Sequence, residues 1–399
     1  MREIRLIEST SHLVELSKQE AQILASIGKE LASSKTWWGG GIANPDSSVI
    51  IVSEKPGDKY ELNFRDVVGL ISLPSVHFHI DPKIPWEHFV EIISNTDLSP
   101  KISNKEALVD KGELFIELIS NWYLEAAEKL VRSGLRQGYV SITSEIEELR
   151  GSLHPVETSI RNLQGIASAV CSYDELSFDM PLNRILFEAC QIITKLSCVG
   201  VDLRQRARRL AFRIGGVGKL QNSDLRSQTD RLTRHYYKSI QLAKLLINGC
   251  GVTVSNGSIS GTSFLLRTPD IIEDGLRNII DKGLSETQVK KKKLMIGAEG
   301  LSVNPDIVFG QNRAVADVKY KLFKNDWNRP DLNQIITFAA AFKTSKAAVI
   351  GFSSDSSEKK PSEVKIGDIW ASSFTWDASD QSSPANSSKK LVDDIFKWL

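Results

Sequence analysis

The stretch Asn304 to Lys321, NPDIVFGQNRAVADVKYK, decides how the chain is read: two apolar strands, Asn304 to Phe309 and Ala314 to Lys321, are joined by the tight turn Gly310, Gln311, Asn312, Arg313. Successive side chains of a strand leave opposite faces. Asp317 and Lys319 therefore share one face, while Ala316 and Val318 enter an apolar layer on the other. Asp306 lies on the first strand, and an antiparallel hairpin of this length brings it near the end that carries Asp317, although the register is not derivable from the sequence. Two facing carboxylates repel each other, and a divalent cation between them removes the repulsion. Mg2+ is the natural occupant, with Mn2+ as an alternative. Asp306, Asp317 and the Val318 carbonyl would leave waters on the ion and room for a phosphate oxygen. Lys319 beside it could orient or deprotonate an attacking water and offset charge developing on phosphorus. The competing reading is a polar hairpin whose Asp317 and Lys319 form a solvent-facing ion pair. A following helix with Asp331 and Gln334 at i, i+3 favours the catalytic one.

Around this hairpin the C-terminal chain reads as mixed α/β. A helix spans Asp270 to Lys282, a Lys-rich connection Lys290 to Lys293, a second helix Asp331 to Phe342 and a further strand Ala347 to Phe352. The Ser-rich stretches Ser353 to Ser362 and Ser379 to Ser388 read as solvated loops. A Gly- and Ser-rich passage, Asn248 to Gly261, marks a boundary before this region. From Pro85 to Gly249 apolar residues recur at i, i+3, i+4 and i+7, giving a helical middle. Gly134 stops one of its helices, which begins near Lys111, and Ser177 or Asp179 could cap the helix that Pro181 opens.

The N-terminal third reads as a short strand (EIRLI), a helix from Leu13 to Leu31 and a loop with Trp37, Trp38 and Gly39 to Gly41. The period-2 strands VIIVS, YELNFRDVVGLISL and VHFHIDPKI follow as an antiparallel sheet, with KPGDK as a turn. His77 and His79 alternate in VHFHI, which suits a half-exposed polar strand face better than a metal site. The fold expectation is thus an α+β N-terminal region followed by an α/β domain with a mixed sheet, divided as 1–84, 85–250 and 251–399.

Composition narrows the function classes. A length of 399 residues allows two or three domains at about 150 residues each. With 50 Lys and Arg against 49 Asp and Glu the net charge is +1, so no chain-wide field attracts nucleic acid or membrane, and any basic surface is local. No run of about 18 apolar residues is present, and MREIRLIEST lacks the apolar core of a signal peptide. A cytoplasmic protein without a membrane partner is expected. Cys171, Cys190, Cys198 and Cys250 include no C-x-x-C pair and read as reduced, buried thiols. There is no G-x-x-x-x-G-K-[ST] loop, since GGVGK at Gly215 to Lys219 lacks both the glycine spacing and the following Ser or Thr. No small-molecule cofactor site is expected.

Taken together, Pro305-Asp306, Asp317-x-Lys319-Tyr320-Lys321 and Asp331-x-x-Gln334 resemble the PD-(D/E)XK nuclease superfamily. Three further segments sharpen the resemblance to the McrC family, the nuclease subunits of McrBC-type 5-methylcytosine restriction systems. They are VVGLISLPSVHFHIDPKI, Gly134 to Pro155 with GLRQGYV and EELRGSLHP, and CSYDELSFDMPLNRIL at Cys171 to Leu186. The resemblance implies that Asp306 and Asp317 are metal ligands, Lys319 the catalytic lysine and Gln334 a helix residue reaching the metal or the scissile phosphate. It offers Glu273 as an additional acid, although this chain has Ile272-Glu273-Asp274 where the family usually has Phe-Glu. Either carboxylate could face the site, or Asp270 to Asp274 could serve the helix N-terminus. Lys290, Lys291, Lys292, Lys293 and Lys321 are DNA-contact candidates, with a flexible loop as the alternative for the lysine run. Arg204, Arg206, Arg208, Arg209 and Arg213 read as a solvated face or a DNA-backbone contact. Tyr173, Asp174, Glu175 and Asn183 are expected to flank a loop-to-helix transition, in capping and buried hydrogen bonds.

The resemblance further implies a Mg2+-dependent DNA endonuclease subunit that works with a ring-forming, McrB-like AAA+ NTPase, GTP-dependent in the best-known system and engaged through the region before residue 251. A non-catalytic subunit that docks on and stimulates the ring is the alternative, and a free-standing nuclease is a third.

Overall fold

The computed structural model describes residues 2–33, 48–57, 59–73, 75–96, 114–196, 199–249, 252–256, 259–297, 300–355 and 360–399. The Trp37, Trp38 and Gly39 to Gly41 loop, the helix start near Lys111, Cys198 and Cys250 lie outside them. The chain forms two compact units, residues 1–116 with 248–399 and residues 117–247. This differs from the expected three-way division, because the N-terminal and C-terminal segments share one unit.

The first unit opens with β1 (Arg2–Ile7), β2 (Ser11–Glu15), α1 (Lys18–Ser33), β3 (Ile50–Lys55), β4 (Lys59–Phe64), β5 (Val67–Ser72), β6 (Val76–Asp81) and α2 (Trp86–Ser94). The helix expected from Leu13 starts only at Lys18. Leu13 to Glu15 pair with β4 instead, and Ser17 and Glu20 form a reciprocal capping box, with the Ser17 amide 2.9 Å from the Glu20 carboxylate and the Glu20 amide donating to Ser17 Oγ. Strands β2, β4 and β3 form one antiparallel sheet. In a second sheet β6 lies between β5, antiparallel to it, and β1, which runs parallel to it, so the sheet is mixed and not wholly antiparallel. Its central place explains why His79 is buried where a half-exposed face was expected. Leu24, Ile27, Leu62, Phe64, Phe78 and Leu265 lie together in one core between these layers.

The second unit is built on α3 (Leu114–Ser133), β7 (Gly138–Ile146), β8 (Ser152–Leu153), α4 (Pro155–Leu163), β9 (Ala169–Ser177), α5 (Pro181–Lys195), α6 (Val201–Ile214) and α7 (Tyr237–Gly249). Its helices bury Trp122, Tyr123, Leu186, Ile193, Leu210 and Leu246, and Gly134, at φ +95°, stops α3 as expected. The middle is not all helical: β7, β9 and β8 form an antiparallel sheet, and Tyr173 to Glu175 lie on β9, which ends just before the connection into α5. Asn183 does have the structural role expected. Its Nδ2 donates to the Arg136 and Phe178 carbonyls, and Tyr236 Oη donates to its Oδ1. Neither Ser177 nor Asp179 caps α5, whose N-cap is Met180 without a side-chain bond; Asp179 instead pairs with Arg184. Cys171 and Cys190 are buried and free, as expected. Arg206 pairs with Glu128, while Arg208, Arg209 and Arg213 are exposed.

The chain then returns to the first unit with β10 (Val252–Asn256), β11 (Ile259–Arg267), α8 (Thr268–Gly283), β12 (Val289–Lys290), β13 (Leu294–Met295), β14 (Ser302–Val303), β15 (Ile307–Phe309), β16 (Ala314–Leu322), α9 (Arg329–Phe342), β17 (Lys346–Ser353), β18 (Val364–Ile366), β19 (Ile369–Asp377) and α10 (Pro384–Trp398). Strand β11 pairs with β5, which completes a five-stranded sheet in the order β1-β6-β5-β11-β10 and makes 1–84 and 251–399 one body. A six-stranded mixed sheet, β12-β15-β16-β17-β19-β18, carries the hairpin, with β16, β17 and β19 parallel. Val308, Val315 and Val349 pack beneath Ile335, Phe338 and Phe342 of α9. The Ser379 to Ser388 stretch is ordered and not a solvated loop: Ser383 caps α10, and Ser387 is buried with its hydroxyl on the Asp377 carbonyl at 2.5 Å. The overall class is α+β with mixed sheets and helices.

Gly69, which follows Val68 on β5, holds the β5–β11 seam at φ +140°, where a Cβ would meet the Phe264 carbonyl oxygen at 2.1 Å. Gly69→Ala is therefore expected to destabilise the chain by about 2–4 kcal/mol in denaturant unfolding. A change below about 0.5 kcal/mol would contradict the seam's role.

Candidate active site

The antiparallel register pairs Ile307 with Ala316, so the next residues outward, Asp306 and Asp317, stand across from each other at the open end of the hairpin. Both are buried, at 6% and 3% exposure. Asp306 Oδ2 accepts from the Val318 amide at 3.0 Å, which locks the end of the first strand against the second. Asp317 shares its strand face with Val315 and therefore faces α9.

Lys319, two residues on, points the same way. Its Nζ lies 2.6 Å from Asp317 Oδ2 and donates to Gln334 Oε1 at 2.9 Å. One turn earlier on α9, Asp331 pairs with Lys321. The structure thus brings Asp306, Asp317, Lys319 and Gln334 together, and the solvent-facing ion pair is not what it shows: Asp317 is buried and Lys319 is held by α9.

Helix α8 adds the third carboxylate. Pro269 at its start and an apolar stripe through Ile272, Leu276 and Ile279 seat it against the sheet. Glu273 turns inward, 3.1 Å from Lys291 Nζ, and Lys291 also reaches Asp306 Oδ1 at 3.2 Å. Asp274 faces outward in a pair with Arg277, and Asp270 pairs with Arg267, so of the two adjacent acids only Glu273 joins the cluster. Arg277 also donates to the Asp306 carbonyl, a role that sequence reading missed.

The four lysines of the basic run do different things. Lys291 enters the carboxylate cluster; Lys292 donates to Asn312 Oδ1 and lies over the Phe342 ring; Lys290 and Lys293 are exposed. The signal that could have found Lys291 is its position just before an acid-bearing hairpin, but only the fold selects it from its neighbours.

Burial first, and then the Asp306 carboxylate, raise the pKa of both Glu273 and Asp317 above the usual carboxylate range. Burial opposes charge on Lys291 and Lys319, but the surrounding carboxylates outweigh it and hold both ammonium pKa values up. Three crowded acids are thus compensated by two amines. Among the described residues no group of three or more His, Cys, Asp and Glu side chains is already closed around a single metal position. The donor chemistry nevertheless fits a hard divalent cation, since the carboxylates are all-oxygen donors and gain from added positive charge.

A model of the McrBC 5-methylcytosine restriction system component family matches residues 62–351, which include Glu273, Asp306, Asp317, Lys319 and Gln334. The chain belongs to this family. No curated protein matches this McrBC-family chain significantly. Among solved structures it resembles a chain of the tetradecameric assembly of Thermococcus gammatolerans McrB AAA+ hexamers with bound McrC, at 16% identity and TM-score 0.58, covering 98% of this chain and 100% of that one. A chain of the Thermococcus gammatolerans McrBC complex aligns at 17% identity and TM-score 0.44, over 71% of this chain and 88% of that one. The first likeness shows a shared fold. Among the described residues of the McrBC-family chain, no helix is long and apolar enough to cross a membrane.

Glu273, with its raised pKa, takes up a proton more readily in the folded than in the unfolded state. Its contribution to stability is complete below the unfolded carboxylate value and is lost as the pH rises through the folded one. Glu273→Gln is expected to gain stability on wild type across that rise, by about 1 kcal/mol or more in metal-free thermal unfolding. A difference that is flat with pH would contradict the crowding.

Proposed function

We propose that this McrBC-family chain is the Mg2+-dependent DNA endonuclease subunit of its restriction system, with residues 251–399 acting as a PD-(D/E)XK nuclease region. One observation carries the proposal: Asp306 stands opposite Asp317 in register, and Lys319 leaves the same face of the strand, held by Gln334. Asp306, Asp317 and the Val318 carbonyl would hold the ion, with Glu273 beside them, and Mn2+ could replace Mg2+. The bound ion supplies Lewis-acid polarisation of a phosphate oxygen. Lys319 orients the attacking water and offsets negative charge as the new O–P bond forms and the ester O–P bond breaks. Gln334 fixes the rotamer of Lys319. Lys290 and Lys293, exposed on either side of Lys291 and Lys292, and Lys321 beside Asp331 are proposed to contact the DNA backbone.

The chain lacks a phosphate-binding loop for NTP, so hydrolysis of NTP is assigned to a partner. McrC bound to AAA+ McrB hexamers in the structural relative supports a McrB-like ring, proposed to be a GTPase, as that partner. The second unit offers a surface suited to it. Val156, Ile160 and Leu163 recur at i, i+4 and i+7 on α4, which buries none of its residues, and all three are exposed. On the adjoining sheet Tyr139 and Leu176 form an exposed cross-strand pair.

Plasmid cleavage with the partner NTPase, NTP and Mg2+ tests the nuclease. Asp317→Ala and Lys319→Ala should each lower the rate by a factor on the order of 10²–10³, whereas cutting equal to wild type would overturn the assignment in favour of a non-catalytic docking subunit. Leu163→Glu should weaken association with the ring at least about tenfold, with an unchanged melting temperature. Undiminished association would remove α4 from the interface.

A further inference from the structure

A buried polar cluster lies behind the hydrolytic strand, on the face away from Lys319. Tyr320 points into it. Lys83, in the Pro82-Lys83-Ile84 segment after β6, donates through Nζ to the Tyr320 carbonyl at 3.1 Å and to Asp66 Oδ1 at 3.0 Å, and its ammonium lies 4.7 Å from the Tyr320 ring centroid. The Lys83 amide donates to Tyr320 Oη at 3.1 Å and to Glu8 Oε1 at 3.3 Å. Glu8, fully buried, accepts from Thr268 Oγ1 at 2.8 Å through its other oxygen. Thr268 is the first residue of α8, the helix that presents Glu273. One carboxylate and one lysine of the N-terminal segment therefore touch both C-terminal elements that carry the candidate catalytic groups.

The place of contact matters more than its strength. Strand β16 pairs with β17 up to Val318 opposite Ile350 and resumes at Leu322 opposite Phe352, so residues 319–321 stand against Gly351 alone. Such a bulge frees backbone groups from the ladder and re-aims the side chains it carries. The freed segment is Lys319, Tyr320, Lys321. Lys83 Nζ takes the Tyr320 carbonyl in it, the Tyr320 ring is anchored from behind, and Lys319 and Lys321 leave on the opposite face toward Gln334 and Asp331. An apolar side chain at position 83 could fill the space but could not hold that carbonyl.

We propose that Lys83, seated by Glu8 and Asp66, is a positioning residue: it sets the β16 bulge that aims Lys319 at the Asp306 and Asp317 pair, so the N-terminal sheet governs the rate of the hydrolytic step. This rests on the nuclease reading for its effect on rate, but not for its effect on the bulge. The test uses the full chain with its NTPase partner, NTP, Mg2+ and plasmid DNA, comparing wild type, Lys83→Met and Lys83→Arg, with hydrogen exchange on each variant. Lys83→Met should cut the rate at saturating DNA by about 100-fold, leave half-saturating DNA within about threefold, and be rescued at least about tenfold by Lys83→Arg, as expected when a group is misplaced and not lost. Exchange should quicken in residues 318–323 and stay unchanged in 369–377. An unchanged rate, a loss confined to half-saturation, or exchange that quickens throughout the unit would overturn the proposal. If wild type and Asp317→Ala cut alike, the nuclease reading fails by itself, and exchange at 318–323 still decides whether Lys83 sets the bulge.

Discussion

The structure turns on one electrostatic constraint: an antiparallel hairpin whose register puts two buried carboxylates against each other. Left alone the arrangement is unfavourable, because burial and like charge both penalise ionisation. What surrounds it reads as compensation. Lys319 from the same strand, Lys291 from the connection before it and the Val318 amide all bring positive charge or N–H donors to the pair. A third acid, Glu273, increases the demand. A fold gains no stability from such crowding, and groups arranged this way mark functional sites more often than structural ones.

The elements around the hairpin explain how it is held. The parallel strands beside it are covered by α9, whose apolar residues pack on Val308, Val315 and Val349 while its polar face supplies Gln334 and Asp331 to the lysines. On the other side, Glu8, Lys83 and Thr268 join the N-terminal sheet to β16 and α8. Strand β11 pairing with β5 makes the same junction through the backbone. The C-terminal region thus shares its sheets and its buried polar groups with the N-terminal segment.

Much of the site was legible in the sequence because it is local. Asp317 and Lys319 are two residues apart on one strand, Asp306 is one turn away, and Asp331 with Gln334 shows a helix period. The missing pieces were non-local or ambiguous. Lys83 and Tyr320 are far apart in the chain, and nothing in Pro-Lys-Ile announces a carbonyl partner. Lys291 sits among three other lysines, and only the fold turns it inward. The β7–β9 sheet was hidden because the helices around it dominate the apolar periodicity of the middle. Leu13 to Glu15 fit a helix pattern as well as a strand, and pairing with β4 decided between them. The union of 1–84 with 251–399 depends on β5 and β11, two strands whose pairing no local pattern encodes.

The proposed nuclease chemistry requires a divalent cation between Asp306 and Asp317. Anomalous diffraction from crystals of the full chain soaked in Mn2+ tests it most directly. One strong peak is expected within coordination distance of both carboxylates, with the Lys291 ammonium displaced from Asp306. An empty hairpin end at saturating Mn2+, with Lys291 still bridging Asp306 and Glu273, would contradict it.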